Sequence, residues 1–254
     1  MALPKVLLPT ANRALVVGLV PRVVGTLSSI PDEAGALASK VPSDLVELRL
    51  DLMSVKDGWL QCGRTLQARG IPVILTIRLR SEGGKWTGPD RQRLKTYRLG
   101  LQHLSAVDVE LRSQIAGAVS KAAKRMGKAC IVSFHDFERT PRLPELKAIL
   151  AEAEPLASIV KISTRVRNRK DVETLRGLLR RPCKVPLCVI GMGPLGKSTR
   201  VSFAAEGSCL TYGYLDRPAA PGQMSAARLV ERLRAELAKY DRDYLSRRRE
   251  LAYA

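Results

Sequence analysis

Eight short apolar runs alternate with helix-patterned stretches through nearly the whole chain, and this rhythm restricts the fold more than any other feature. The runs are "RVVGTLS" (22–28), "DLVELRLDL" (44–52), "PVILTIRL" (72–79), "AVDVEL" (106–111), "ACIVSFH" (129–135), "SIVKIS" (158–163), "VPLCVIG" (185–191) and "CLTYGY" (209–214). Most are close to continuously apolar, as parallel strands covered on both faces must be. Between them apolar residues recur at helical spacing: Val172, Leu175 and Leu179 in one stretch, and Leu146, Ile149 and Leu150 behind Pro144 in another. Gly70 and Gly127 stand where helices must stop before a strand. Eight such units in 254 residues predict an α/β protein, a (β/α)8 barrel, with a doubly wound open sheet as the competing arrangement. No low-complexity linker divides the chain, so 1–254 reads as a single domain with the barrel proper at about 20–240. The residues before it predict a hairpin that closes the barrel floor. The stretch "YDRDYLSRRRELAYA" predicts an extension of the last helix.

Composition narrows the function classes. A hydrophobic fraction of 45% suits a buried core rather than a disordered chain. No apolar run reaches the ~18 residues that span a bilayer, and the start lacks the long apolar segment of a secretory signal. A cytoplasmic protein without a membrane partner is expected. The five cysteines, at 62, 130, 183, 188 and 209, form no regular framework and read as buried, reduced thiols. Two histidines and no C-x-x-C pair give no basis for a zinc site. The net charge of +19 invites nucleic acid, but it is spread along the chain, and 4% aromatic residues are too few for stacking platforms. Attraction for a small anionic substrate is the expectation, with no specific nucleic-acid partner.

One motif competes with that reading. Gly191, Gly196, Lys197 and Ser198 spell G-x-x-x-x-G-K-S, the phosphate-cradling loop of nucleotide hydrolases, and they follow an apolar run. In such proteins the loop opens the domain and a later strand supplies a magnesium-binding Asp. Here it begins at residue 191, with little chain left to complete that fold. Nucleotide binding remains the distant alternative.

In a (β/α)8 barrel the reactive groups come from the carboxyl ends of strands and the loops after them. Those positions supply Glu47, Arg49 and Asp51 on alternate residues of the second run. Arg78 and Glu82 follow the third, His135 and Asp136 the fifth, Lys197 and Arg200 the seventh, and Gln223 the eighth. Lys161 interrupts the sixth run, flanked by Ile159, Val160 and Ile162. A lysine so placed needs a partner or a lowered pKa. At a pKa of ~10.4 only ~0.04% is neutral at pH 7, whereas at ~8 roughly a tenth is, and neutral amine attacks carbonyls. His135 titrates in the range that suits a proton shuttle, and Glu82 is placed to fix its tautomer. Lysine, histidine and several arginines together predict imine chemistry on an anionic carbonyl compound. A Schiff-base aldolase fits the same residues.

The segments "ELRLD" (47–51), "TIRLRSEGG" (76–84), "SFHDFERTP" (133–141), "VKI" (160–162), the glycine loop ending in Arg200, and "APGQ" (220–223) occur in order. Together they resemble the type I 3-dehydroquinate dehydratase family, the (β/α)8 hydro-lyases of the third step of the shikimate pathway. The resemblance implies a Schiff base between Lys161 and the C3 ketone of 3-dehydroquinate, with His135 as acid and base and Glu82 orienting it. It further implies that Glu47, Arg49, Arg78, Arg200 and Gln223 position the substrate, with Arg200 on its carboxylate. No metal or organic cofactor is implied, and a homodimer is expected. Two positions depart from the family pattern: Ala219 replaces a substrate-contacting serine before "APGQ", and Thr199 precedes Arg200 where serine is commoner.

Overall fold

The computed structural model describes residues 4–31, 40–53, 58–219 and 222–252. A short antiparallel hairpin, β1 (Val6–Pro9) and β2 (Ala14–Val17), precedes eight parallel strands. These are β3 (Arg22–Leu27), β4 (Leu45–Arg49), β5 (Val73–Thr76), β6 (Ala106–Glu110), β7 (Ala129–Asp136), β8 (Ile159–Arg165), β9 (Leu187–Met192) and β10 (Leu210–Tyr214). Every apolar run named above becomes one of them. The hydrogen-bonded order is β10-β3-β4-β5-β6-β7-β8-β9, all parallel. Chain order is therefore kept around the sheet with no reversal, which rules out the doubly wound arrangement. At the remaining seam the Cys209 N–H donates to Leu187 O at 2.9 Å and the Cys188 thiol donates to Leu210 O at 3.2 Å. The structure is a (β/α)8 barrel.

The helices are α1 (Trp59–Ala68), α2 (Asp90–Leu101), α3 (Ala116–Arg125), α4 (Leu143–Ala153), α5 (Arg169–Leu179), α6 (Thr199–Ala205), α7 (Ala226–Glu236) and α8 (Ala238–Ala252). Between the first two barrel strands, where a helix is expected, residues 32–39 lie outside the described residues. Local chemistry sets the ends. Asn168 and Asp171 form a reciprocal capping box at the start of α5, worth about 1 kcal/mol. Pro144 occupies the first turn of α4, and Gly70 (φ +72°) and Gly127 (φ +64°) turn the chain out of α1 and α3.

Strand residues alternate between two cores. Val46, Leu48, Val73, Leu75, Val107, Val109, Val132 and Val160 face outward and pack with the helices. Val24, Leu45, Ile74, Ala106, Ile131 and Ile159 face inward, where Leu8, Leu15 and Val17 of the hairpin join them. The predicted hairpin thus plugs the floor. Farther along the strands the inward positions turn polar: Thr26, Glu47, Thr76, Asp108, Ser133 and Lys161, all nearly inaccessible. The barrel therefore has an apolar base and a charged upper layer.

The chain end differs from the expectation. Leu237 leaves helical geometry (φ −131°, ψ 92°), so α8 is a separate helix rather than a continuation of α7. Its Tyr240 hydroxyl donates to Asp44 at 3.1 Å, Arg247 pairs with Asp44 and Asp243, and Asp243 pairs with Arg22. The basic stretch at 247–249 is thus only partly a solvated helix end. Arg247 anchors α8 at the base of the barrel.

Candidate active site

All eight site residues read from the sequence meet in one cavity at the carboxyl ends of the strands. Glu47, Arg49, Arg78, Glu82, His135, Lys161, Arg200 and Gln223 line it, with Thr26, Ser163, Met192, Tyr212 and Ala219. About 540 Å³ of non-atom space lies between these side chains, open solvent at the mouth included. Asp136 instead accepts the N–H groups of Glu138 and Arg139 and shapes a turn.

Lys161 is only 6% exposed, and of the two outcomes expected for a lysine so placed it has the partner. Its Nζ lies 3.0 Å from Asp108 Oδ2 and 4.2 Å from the centroid of the Tyr212 ring. Asp108, fully buried in the middle of β6, also accepts from Arg78 at 2.6 Å and Ser133 Oγ at 2.7 Å. Burial opposes its ionisation, yet the Arg78 and Lys161 charges and the Ser133 hydrogen bond outweigh burial and hold its pKa well below the usual carboxylate range. Asp108 is the principal site residue that the sequence reading missed. An acid inside the apolar run "AVDVEL" is the same signal that marked Lys161.

His135 Nδ1 lies 2.9 Å from Glu82 Oε2, which also accepts the His135 backbone N–H at 3.0 Å. Glu82 comes from a 3-10 turn, Arg80–Glu82, after β5. The predicted pairing of these residues is present. Burial, then the Arg78 and Lys161 charges, push the imidazole pKa well below its usual 6.5. It is therefore neutral at pH 7. With Nδ1–H donated to an ionised Glu82, Nε2 is left as the free base. Burial also raises Glu82, to about 7, against the opposing pull of Arg78.

The arginines differ in what they hold. Arg49 is engaged by Asp51 through Nε at 3.0 Å and Nη2 at 2.9 Å. Arg78 is committed to Asp108, Ser133 and Glu110, so it braces the carboxylates behind the site. Among the described residues Arg200, 3% exposed, bonds only carbonyls, Tyr212 O at 2.9 Å and Gly222 O at 3.3 Å. No carboxylate among the described residues pairs with it. Burial lowers its pKa to about 10, which still leaves it cationic at pH 7. A buried cation without an acid is a site for an anionic ligand. Glu47 accepts from Thr76 at 2.7 Å and Thr26 at 3.1 Å, and Gln223 Oε1 accepts the Ala219 N–H at 2.7 Å.

Four of the glycine loop's N–H groups are used within the loop rather than turned to a ligand: Gly196 to Gly193 O, Lys197 to Pro194 O, Thr199 to Gly196 O, and Gly191 to the Thr199 hydroxyl. A Cβ on Gly196 would lie 2.4 Å from the Gly191 carbonyl carbon, so this glycine serves a close turn. Thr199, wholly buried, donates to Gly196 O at 2.6 Å and locks that turn. Lys197 is exposed, while Arg200, one turn on in α6, faces the cavity.

A (β/α)8 barrel with a buried amine, an imidazole–carboxylate pair and an acid-free arginine at its mouth defines an enzyme for a small anionic substrate. A model of the type I 3-dehydroquinase family matches residues 19–239, and the chain belongs to that family. It is 42% identical over 204 residues to the 3-dehydroquinate dehydratase of Methanosarcina barkeri, covering 75% of this chain and 84% of that protein. It is 34% identical over 214 residues to that of Methanocella arvoryzae, with 84% and 96% covered. The solved 3-dehydroquinate dehydratase of Geobacillus kaustophilus shares the fold with a TM-score of 0.78 at 24% identity, over 93% of this chain and 100% of that one. No helix among the described residues is long and apolar enough to cross a membrane.

Proposed function

We propose that this chain dehydrates 3-dehydroquinate to 3-dehydroshikimate through an imine on Lys161, with His135 moving the protons. The carrying observation is the convergence of Lys161, His135 and the acid-free Arg200 on one cavity. Arg200 takes the C1 carboxylate. The Lys161 amine condenses with the C3 ketone, and the resulting C=N bond withdraws electrons from C2. His135 Nε2 removes the C2 proton, and the electron pair moves toward the imine nitrogen. The pair then returns to form C1=C2 as the C1 hydroxyl leaves, taking the proton from His135 as water. Hydrolysis of the imine restores the amine. Asp108, held ionised, stabilises cationic nitrogen at Lys161, and Glu47 and Gln223 face the ring hydroxyls. Incubation with 3-dehydroquinate should give a conjugated product, and borohydride should trap a covalent adduct. Failure of either would refute the reading.

Two outcomes separate this site from a nucleotide loop. Arg200→Ala should raise KM ~10–150-fold, the value of one charged hydrogen-bonded contact. Lys197→Ala, an exposed change, should leave kinetics near wild type. The reverse order, with micromolar ATP binding, would restore the nucleotide reading.

Glu82 should shape the pH profile. Below its pKa of about 7 a protonated Glu82 donates to His135 Nδ1 and forces the ring proton onto Nε2, which then cannot act as base. Activity should therefore fall as pH drops through about 7. Glu82→Gln should lower kcat modestly and remove that acid limb. A limb that persists unchanged in the variant would assign it to another group.

A further inference from the structure

Tyr212, in β10, lines the cavity and is 5% exposed. Its ring carries the Lys161 ammonium at 4.2 Å, a contact that phenylalanine would make equally well. The hydroxyl is what needs explaining. It is buried and has no hydrogen-bond partner among the described residues. The nearby acids are already engaged: Glu47 by Thr26 and Thr76, and Asp108 by Arg78, Ser133 and Lys161. Buried phenols rarely lack a partner, since an unmade bond forfeits the hydration of the group. The partner should therefore arrive with the ligand.

We propose that the Tyr212 hydroxyl is a further catalytic group, donating a hydrogen bond to the C3 oxygen of the substrate while the imine on Lys161 forms. This rests on the imine reading above. The ring that carries the hydroxyl lies against Nζ, the atom at which the imine would form. The step balances without another reactant. The ammonium gives up one proton within the site and Nζ attacks C3, so the C–N bond forms as the C=O π pair moves to oxygen. That oxygen takes the released proton. The nitrogen pair then forms C=N as the C–O bond breaks, and the oxygen leaves as water with the second nitrogen proton. Through both halves Tyr212 keeps its own proton and holds the oxygen that gains charge. Burial, which raises the phenol well above its ordinary pKa of 10, favours that role.

Tyr212→Phe keeps the ring against Lys161 and removes only the donor. In single-turnover trapping with 3-dehydroquinate and borohydride, the variant should form the adduct about 3- to 10-fold more slowly than wild type, the effect of one neutral hydrogen bond in a transition state. Its KM for substrate, set mainly by Arg200, should change less than this rate, and its Tm should stay near wild type. Wild-type adduct formation and kcat/KM in Tyr212→Phe would overturn the assignment of Tyr212 alone. Absence of any adduct in the wild-type enzyme would overturn the imine reading and this inference with it.

Discussion

Lys161→Ala should lose both the borohydride-trapped adduct and the dehydration activity, by on the order of 10⁶ in kcat, as when a covalent nucleophile is removed. The size of the loss follows from the chemistry. Without an imine the electron pair left at C2 has only a neutral ketone to enter. The surroundings make the test clean. Removing one member of a buried ion pair can cost about 3–5 kcal/mol when the other is left unpaired. Asp108 would still be held by Arg78 at 2.6 Å and Ser133 at 2.7 Å. The stability loss should therefore be smaller, and the fold should survive. Lys161→Arg sharpens the result, because it keeps a cation beside Asp108 yet is never deprotonated near neutrality. Both variants should be inactive, with Tm read by calorimetry and adducts by peptide mass mapping. An adduct mapping to Lys197, or activity retained in Lys161→Arg, would remove Lys161 from this role.

The site was legible in the sequence where polar residues interrupt apolar strands, because a barrel interior admits them only at its mouth. Lys161, Glu47 and His135 stand out this way, and the eight runs that carry them give the barrel. What the runs do not reveal is pairing across strands. Asp108 sits on β6, two strands from Lys161 on β8, and no spacing along the chain announces that their side chains meet at 3.0 Å. The ion pair changes how the amine is understood: in the proposed reaction, the acid that holds the ammonium would also face the cationic imine. Residue types alone did not separate Arg49 and Arg78 from Arg200; only the resemblance set Arg200 on the carboxylate. The partners, Asp51 for one and Asp108 with Glu110 for the other, show that two are braced by acids, whereas Arg200 pairs with none among the described residues. The C-terminal helix was obscured for a related reason. A single extended residue, Leu237, redirects it to Asp44, whose position at the head of β4 is a tertiary fact. Likewise the G-x-x-x-x-G-K-S spelling gives residue types but not the fate of the loop's N–H groups.

His135→Ala should slow dehydration by ~10²–10⁴, the contribution of a positioned acid–base group, while adduct formation persists. The two effects separate because the groups act on different atoms. Lys161 remains beside Asp108, so the amine still meets the C3 ketone. On the Tyr212 assignment the departing C3 oxygen also keeps its hydrogen bond. Removal of the C2 proton loses its base, the imidazole that Glu82 orients. Substrate should therefore collect as the imine before water is lost from C1. Borohydride reduction of the variant should give a Lys161 adduct heavier by one water than the adduct of the dehydrated product. The depressed imidazole pKa explains why a histidine suits both halves of the step. Burial, with Arg78 and Lys161, keeps the ring neutral and able to accept at pH 7, and the same forces make the imidazolium it becomes a strong donor to the leaving hydroxyl. Wild-type turnover in His135→Ala, or accumulation of only the dehydrated adduct, would place the proton transfer on another group.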